Sequence, residues 1–179
     1  MNRPLKYDPV AQAHRHWTEH GWGTAAEGMA AVTSLFRSQQ IFMARIDTVL
    51  RPLGLTFARF EMLTLLAFTK TGTLPMAKAS ARLQVHPTSV TNTVDRLERA
   101  GLVNREAHPE DGRTTLVQIT PAGRSTSERA ATELNERVFR QVGIPAADVA
   151  EINRILARFR FDAGDFTGST SLAPVESDA

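Results

Sequence analysis

The chain contains no cysteine. That absence removes disulfides, thiolate zinc sites and cysteine nucleophiles together, and it suits a reducing compartment. No apolar run approaches the about 20 residues that a membrane-spanning helix needs. The first ten residues hold Arg3, Lys6 and Asp8 with no apolar segment, so they do not read as a secretory signal. The expectation is a cytoplasmic protein with no membrane association. Enzyme signatures are missing as well. There is no glycine-rich phosphate loop, no Gly-x-Ser-x-Gly and no His-Glu-x-x-His. The adjacent acids Glu110 and Asp111 fall in a loop with nothing around them to form a pocket. The reading is a non-enzyme that needs no cofactor. No internal repeat is visible.

What is present fits one domain of ordinary size, long enough at 179 residues to bury a core without covalent staples. The net charge of +2 is unevenly spread. From Asp162 onward there are four acids and no Lys or Arg. Residues 1–161 therefore hold all 21 basic groups against 15 of the 19 acids, a net of +6. A body of that charge suits a polyanionic partner.

Periodicity and punctuation predict a mainly helical chain. Asp8-Pro9 opens a helix that Gly21 and Gly23 end. Thr24 and Glu27 read as a capping box for a long second helix with apolar residues at Met29, Val32, Phe36, Met43, Ile46 and Leu50. Thr56 caps a third helix, with Phe60, Leu63, Leu66 and Ala67 on one side. Thr69–Thr73 reads as a turn and Pro75 as the start of a short helix to Leu83. After Gln84-Val85-His86, Pro87 starts another helix that buries Val90, Val94 and Leu97, and Gly101 terminates it. Leu102–Glu106 and Thr115–Ile119 read as strands around a turn-rich loop, His108–Arg113. A helix from Thr120-Pro121 runs to about Val142, and a last one covers about Ala146–Arg160.

Residues 74–119 thus read helix, short turn, helix, strand, loop, strand, which is the order of a winged helix-turn-helix. The second helix of such a pair can enter the major groove. Its outward face carries Thr88, Ser89, Thr91, Asn92, Asp95 and Arg96, and no large apolar side chain. Hydroxyls, Asn and Arg can read base edges or hold phosphates. The hairpin loop would be the wing. Arg113 at its far end can enter the minor groove, and Asp111 can hold Arg113 through an ion pair. Arg105 reads either as a DNA contact or as a brace for the hairpin.

The stretch Thr88-Ser-Val-Thr-Asn-Thr-Val-Asp-Arg-Leu-Glu-Arg-Ala-Gly-Leu-Val103 resembles the recognition helix of MarR-family regulators. Arg105, Pro109-Glu-Asp-Gly-Arg113 and Ile119-Thr-Pro-Ala-Gly-Arg124 are similar to that family's wing and the helix after it. The resemblance covers about residues 29–160. It implies a winged helix-turn-helix that dimerises through its N- and C-terminal helices. It implies DNA-binding residues Thr88, Ser89, Thr91, Asn92, Arg96, Arg105, Asp111 and Arg113, and repression relieved by a small-molecule effector. The domain reading that follows is an extension helix at 1–23, a dimerisation helix at 24–56 and the DNA-binding lobe at 57–120. C-terminal dimerisation helices at 121–162 and a disordered acidic tail at 163–179 complete it.

Apolar stripes at both ends of the chain point the same way physically, because such faces commonly dock on a second copy. A two-fold homodimer would set two recognition helices roughly 34–36 Å apart and demand an inverted-repeat operator in double-stranded DNA. The resemblance puts the effector pocket between the dimer helices and the DNA-binding lobe. His16, Trp17, Arg45, Arg59 and Phe60 are its candidate residues, and aromatic rings with a cation suit an aromatic or acyl carboxylate. His16 and His20 stand at i and i+4, a spacing that can bind zinc; Glu19 and His14 are near in sequence, but no local third ligand has convincing geometry. Helix surface or pocket lining is the plainer role. A zinc-responsive regulator of the same fold and a non-specific nucleoid protein are the alternatives.

Overall fold

Helix starts follow local capping chemistry in most of the molecule. The computed structural model describes residues 5–169, and contacts divide the chain into two units that part after Val138. In the first unit, α1 (Pro9–Glu19) begins where the Asp8 carboxylate accepts the Val10 N–H at 2.9 Å. α2 (Gly23–Leu50) departs from expectation. It starts after Trp22 with no side-chain cap, so Thr24 and Glu27 do not form a capping box. Glu27 instead meets Nε2 of His14 at 3.0 Å, and Trp22 packs edge-on against Trp17 and His20. Gly21, at φ +90°, lets the chain reverse so that α1 lies against α2. These cross-helix contacts occupy the acid that a local cap would have used.

A 3-10 turn, Arg51–Leu53, ends α2. Next come α3 (Phe57–Ala67), β1 (Thr73–Pro75), α4 (Met76–Leu83), α5 (Pro87–Arg99), β2 (Val103–Ala107), β3 (Thr115–Ile119) and α6 (Pro121–Leu134). The sheet is antiparallel in the order β1-β3-β2, with Leu74 opposite Val117 and Val103 opposite Ile119. The fold is the expected one, mainly helical with a small wing hairpin, but the sheet has a third strand. β1 has no readable period in three residues ending in proline. It exists because β3, far along the chain, offers it an edge.

One core joins these elements. Ile46, Val49 and Leu50 of α2 meet Phe60, Leu63 and Leu66 of α3, Val90, Val94 and Leu97 of α5, and Val103 and Val117 of the sheet. The buried face of α5 is the one its spacing predicts. The stripe of α2 is buried only at its C-terminal end: Val32, Leu35, Phe36 and Ile41 stay between 48% and 64% exposed.

Two local devices set α5 and the hairpin. The turn from α4 to α5 runs through Gln84 at φ +53°, the one non-glycine residue with positive φ among those described. There the Val85 N–H donates to the Ser80 carbonyl at 3.3 Å and the Ser80 hydroxyl to the Val85 carbonyl at 2.7 Å. After the wing, the Thr120 hydroxyl donates to Gly101 O at 2.8 Å and accepts the Gly123 N–H at 3.0 Å. The Thr120 N–H bonds Leu102 O at 3.1 Å. A Cβ on Gly123 would lie 2.0 Å from that same carbonyl, so only glycine lets α6 sit this close.

α6 is shorter than expected. It gives way at Asn135 to a π turn, Asn135–Phe139, where the sequence reads as continuous helix; a π turn has no distinctive composition. In the second unit, α7 (Ala146–Asp162) leaves Ile152, Ile155 and Phe159 exposed. Beyond it Arg160 pairs with Asp165 at 2.6 Å and Phe166 packs edge-on against Phe161. The rest of the acidic tail, 170–179, lies outside the described residues.

Candidate nucleic-acid interface

α5 is preset at its start by two local features. Pro87 occupies the first turn, and Nδ1 of His86 accepts the Thr88 N–H at 3.2 Å. A His before Pro at a helix start was the available sequence signal for this cap. Thr88, Ser89, Asn92 and Arg96 are all exposed, and their side chains make no hydrogen bond or ion pair among the described residues. Thr91 is exposed too, but its hydroxyl donates to the Pro87 carbonyl at 3.1 Å and keeps only its acceptor lone pairs for a partner. The helix therefore offers a polar face whose hydrogen-bonding capacity is largely unspent.

Arg105 turns back onto that helix. Its guanidinium pairs with Asp95 and, at 2.6 Å, with Glu98, and it donates to the Thr91 carbonyl at 3.3 Å. Its backbone N–H donates to Glu98 Oε1 at 3.1 Å. Burial alone would lower the Arg105 pKa. Bonds and charges from Asp95 and Glu98 outweigh that and raise it. Of the two sequence readings of Arg105, this geometry is the brace: it ties β2 to α5. It also removes Asp95 from the free outward face. Glu98, seven residues before Arg105, was not singled out from sequence.

The wing tip is a small self-bonded loop. The His108 N–H donates to the Thr114 carbonyl at 2.9 Å, and the Thr114 N–H to the Asp111 carbonyl at 2.9 Å. Asp111 Oδ1 accepts the Arg113 N–H at 3.0 Å and Oδ2 accepts the Thr114 hydroxyl at 2.8 Å. The expected Asp111–Arg113 ion pair is absent from the described contacts; the carboxylate is engaged by Thr114 and the backbone. Those bonds, first Thr114 and then the Arg113 amide, hold the Asp111 carboxyl below its ordinary pKa. Arg113 is exposed and lines a hollow of about 360 Å³ together with Pro87 and Thr91 of α5. The wing cation and the start of the recognition helix are thus brought to one place.

The effector candidates fall into separate settings. His16 is exposed on α1, while Trp17 packs against Trp22 with ring centres 5.3 Å apart. Arg45 lies 5.9 Å over the Phe42 ring. Phe60 is in the core, stacked on Phe57. Arg59 donates to Gly54 O at 2.9 Å and lines a hollow of about 350 Å³ with Thr56, Asn92, Thr93 and Arg96, beside α5. A larger hollow, about 450 Å³, lies between the end of α2 and α6, with Val49, Leu53, Arg129 and Arg137 in its walls. None of the five candidates lines that one. His20 packs on Trp22 at 4.2 Å, and no group of three or more His, Asp or Glu side chains is placed to hold a metal among the described residues. No described helix is long and apolar enough to cross a membrane.

Comparison with known proteins agrees with this geometry. A sequence model of the MarR family matches residues 53–114, the stretch from the 3-10 turn after α2 to the wing loop before β3. The HTH-type transcriptional repressor IacR of Pseudomonas putida is 30% identical over 118 residues, covering 64% of this chain and 68% of that one. Among the curated relatives matched, the covered share of their own length runs from 56% for a Bacillus subtilis regulator to 91%. Sco5413, a MarR family transcriptional regulator from Streptomyces coelicolor, is 48% identical with a TM-score of 0.73, over 79% of this chain and 99% of that one. CouR from Rhodococcus jostii RHA1, solved bound to p-coumaroyl-CoA, is 26% identical with a TM-score of 0.60, over 71% of this chain and 89% of that one.

Proposed function

The chain belongs to the MarR family of transcriptional regulators, and on that premise we propose that it is a repressor that binds an inverted-repeat operator as a homodimer and leaves it when a small organic acid binds. The observation that carries the DNA reading is the juxtaposition of Arg113 with the first turn of α5, next to an exposed face where the side chains of Thr88, Ser89, Asn92 and Arg96 have no partner among the described residues. Thr88, Ser89, Thr91 and Asn92 sit in the N-terminal half of α5, the part of a recognition helix that reaches base edges. Arg113 meets the minor groove, Asp111 shapes the loop that presents it, and Arg105 keeps wing and helix in register.

In this reading 57–120 is the DNA-binding lobe. The exposed apolar faces of α2 and α7 support pairing of two copies. The repressor sense is supported by IacR, a repressor by name. CouR, solved with an aromatic acyl thioester, supports an aromatic or acyl acid as effector. The hollow between α2 and α6 suits such a ligand by size, with an apolar wall from Val49, Pro52 and Leu53 and cations from Arg129 and Arg137. A ligand can release DNA only by preferring a lobe spacing that the two grooves do not fit.

Anisotropy titrations with duplexes tiled across the flanking DNA, in excess unrelated competitor, test this. One fragment should stay bound and show a symmetric footprint over two half-sites. Asn92→Ala should cost about 1–3 kcal/mol and relax preference at one base position. Binding that competitor abolishes would make the protein a non-specific DNA binder. Zinc alone changing operator affinity, with His16→Ala removing the effect, would replace the organic effector.

A further inference from the structure

Arg59 and Arg96 line one hollow at the side of α5, together with Thr56, Asn92 and Thr93. No acid lines it. Neither guanidinium has a carboxylate partner among the described residues, unlike Arg51, Arg105 and Arg137, each of which is ion-paired. Two permanent charges facing one cavity repel each other unless an anion enters. The one bond of the Arg59 guanidinium among the described residues, to Gly54 O, fixes one amino group of the fork and leaves the others to donate.

Position says which anion. Arg96 is nine residues after Pro87, so it stands about 13 Å along the helix axis from the end that enters the groove. A side chain there is placed at the groove's rim, where the sugar-phosphate backbone runs. The first helix of the helix-turn-helix here is α4; α3 packs against both α4 and α5, and that packing brings Arg59, near the start of α3, to the same rim as Arg96. We propose that Arg59 and Arg96 form a clamp for a DNA backbone phosphate, with the Thr56 hydroxyl as a further donor. This rests on the DNA-binding reading above. It moves Arg59 from the effector pocket to the DNA surface, and it makes Arg96 a positioning contact rather than a reader of sequence.

The test measures affinity of the full chain for its operator and for an unrelated duplex across a salt series. Arg59→Gln should weaken both DNAs by the same factor and lower the salt slope by about one per protomer. Arg59→Lys, which keeps the charge, should keep the slope. Arg96→Gln should likewise weaken both duplexes without relaxing preference at any base. An unchanged slope in Arg59→Gln overturns the clamp. So does an Arg59→Lys variant as impaired as Arg59→Gln, since the residue would then act through the fold. Relaxed preference at one base pair in Arg96→Gln would mean that Arg96 reads that base, and would also overturn it. Wild-type protein that binds neither duplex would instead sink the DNA-binding reading itself, before any variant is compared.

Discussion

Asp111 holds Arg113 by its backbone amide, at 3.0 Å, and leaves the guanidinium without a carboxylate partner among the described residues. An ion pair would have masked the wing's charge. The observed arrangement shapes the loop and keeps the cation available.

Arg113→Ala should therefore weaken DNA binding and lower the salt slope by about one per protomer. Asp111→Ala should weaken it less, with the slope retained, and Asp111→Asn, which keeps an acceptor oxygen, should lie between Ala and wild type. Hydrogen bonds from Thr114 and the Arg113 amide lower the Asp111 pKa in the folded chain. Its contribution is thus present above the ordinary carboxylate range and is lost as pH falls through the depressed value. Amide shifts of Arg113 and Thr114 followed against pH should report that loss. Tighter DNA binding by Asp111→Ala would show that Asp111 acts only by repelling phosphate.

Arg105→Met should destabilise the fold by about 1–2 kcal/mol, because Asp95 and Glu98 lose their shared partner in a partly exposed site. Urea denaturation measures this. DNA affinity should fall while its salt dependence stays the same. A slope reduced by about one would show that Arg105 touches a phosphate after all.

Gly123→Ala should be among the most damaging single changes in the first unit. The new methyl meets the Leu102 carbonyl, which cannot swing aside as a side chain would. A cost on the order of 3 kcal/mol is expected from overpacking. Gly112→Ala is the control, since a Cβ there meets nothing within 4 Å. Equal melting temperatures for the two variants would contradict this packing.

Phe36→Glu should shift the chain toward monomer in light scattering, since a charge on an exposed apolar stripe opposes pairing. Far-UV circular dichroism should be unchanged, because Phe36 is 64% exposed. A wild-type mass of one chain at micromolar concentration would remove the homodimer from the proposal.

Much of the lobe was legible in sequence because its signals are local. The spacing of Val90, Val94 and Leu97 names the buried side of α5, and Asp8, Thr56 and Thr120 each cap the helix they precede. What escaped depends on partners elsewhere in the chain. β1 needs β3, and the start of α2 is set by contacts with α1. The Asp111–Arg113 ion pair does not form because the Thr114 hydroxyl and the Arg113 amide take the carboxylate, and opposite charges two residues apart say nothing of such competitors. The effector candidates are aromatic or basic residues, and composition cannot tell a core ring such as Phe60 from a cavity wall. Periodicity likewise marks the stripe of α2 without saying what covers it.

The clasp at Thr120 has a mechanical consequence. Its hydroxyl and amide grip Gly101 and Leu102, at the foot of α5, and Gly123 leaves no gap beneath the first turn of α6. That junction cannot serve as a hinge. A tilt imposed on α6 reaches the recognition helix without slack, as torque through a welded joint. The regular hydrogen-bond ladder of α6 ends at Leu134, where the π turn Asn135–Phe139 begins, so this slack-free connection to α5 runs no further than that.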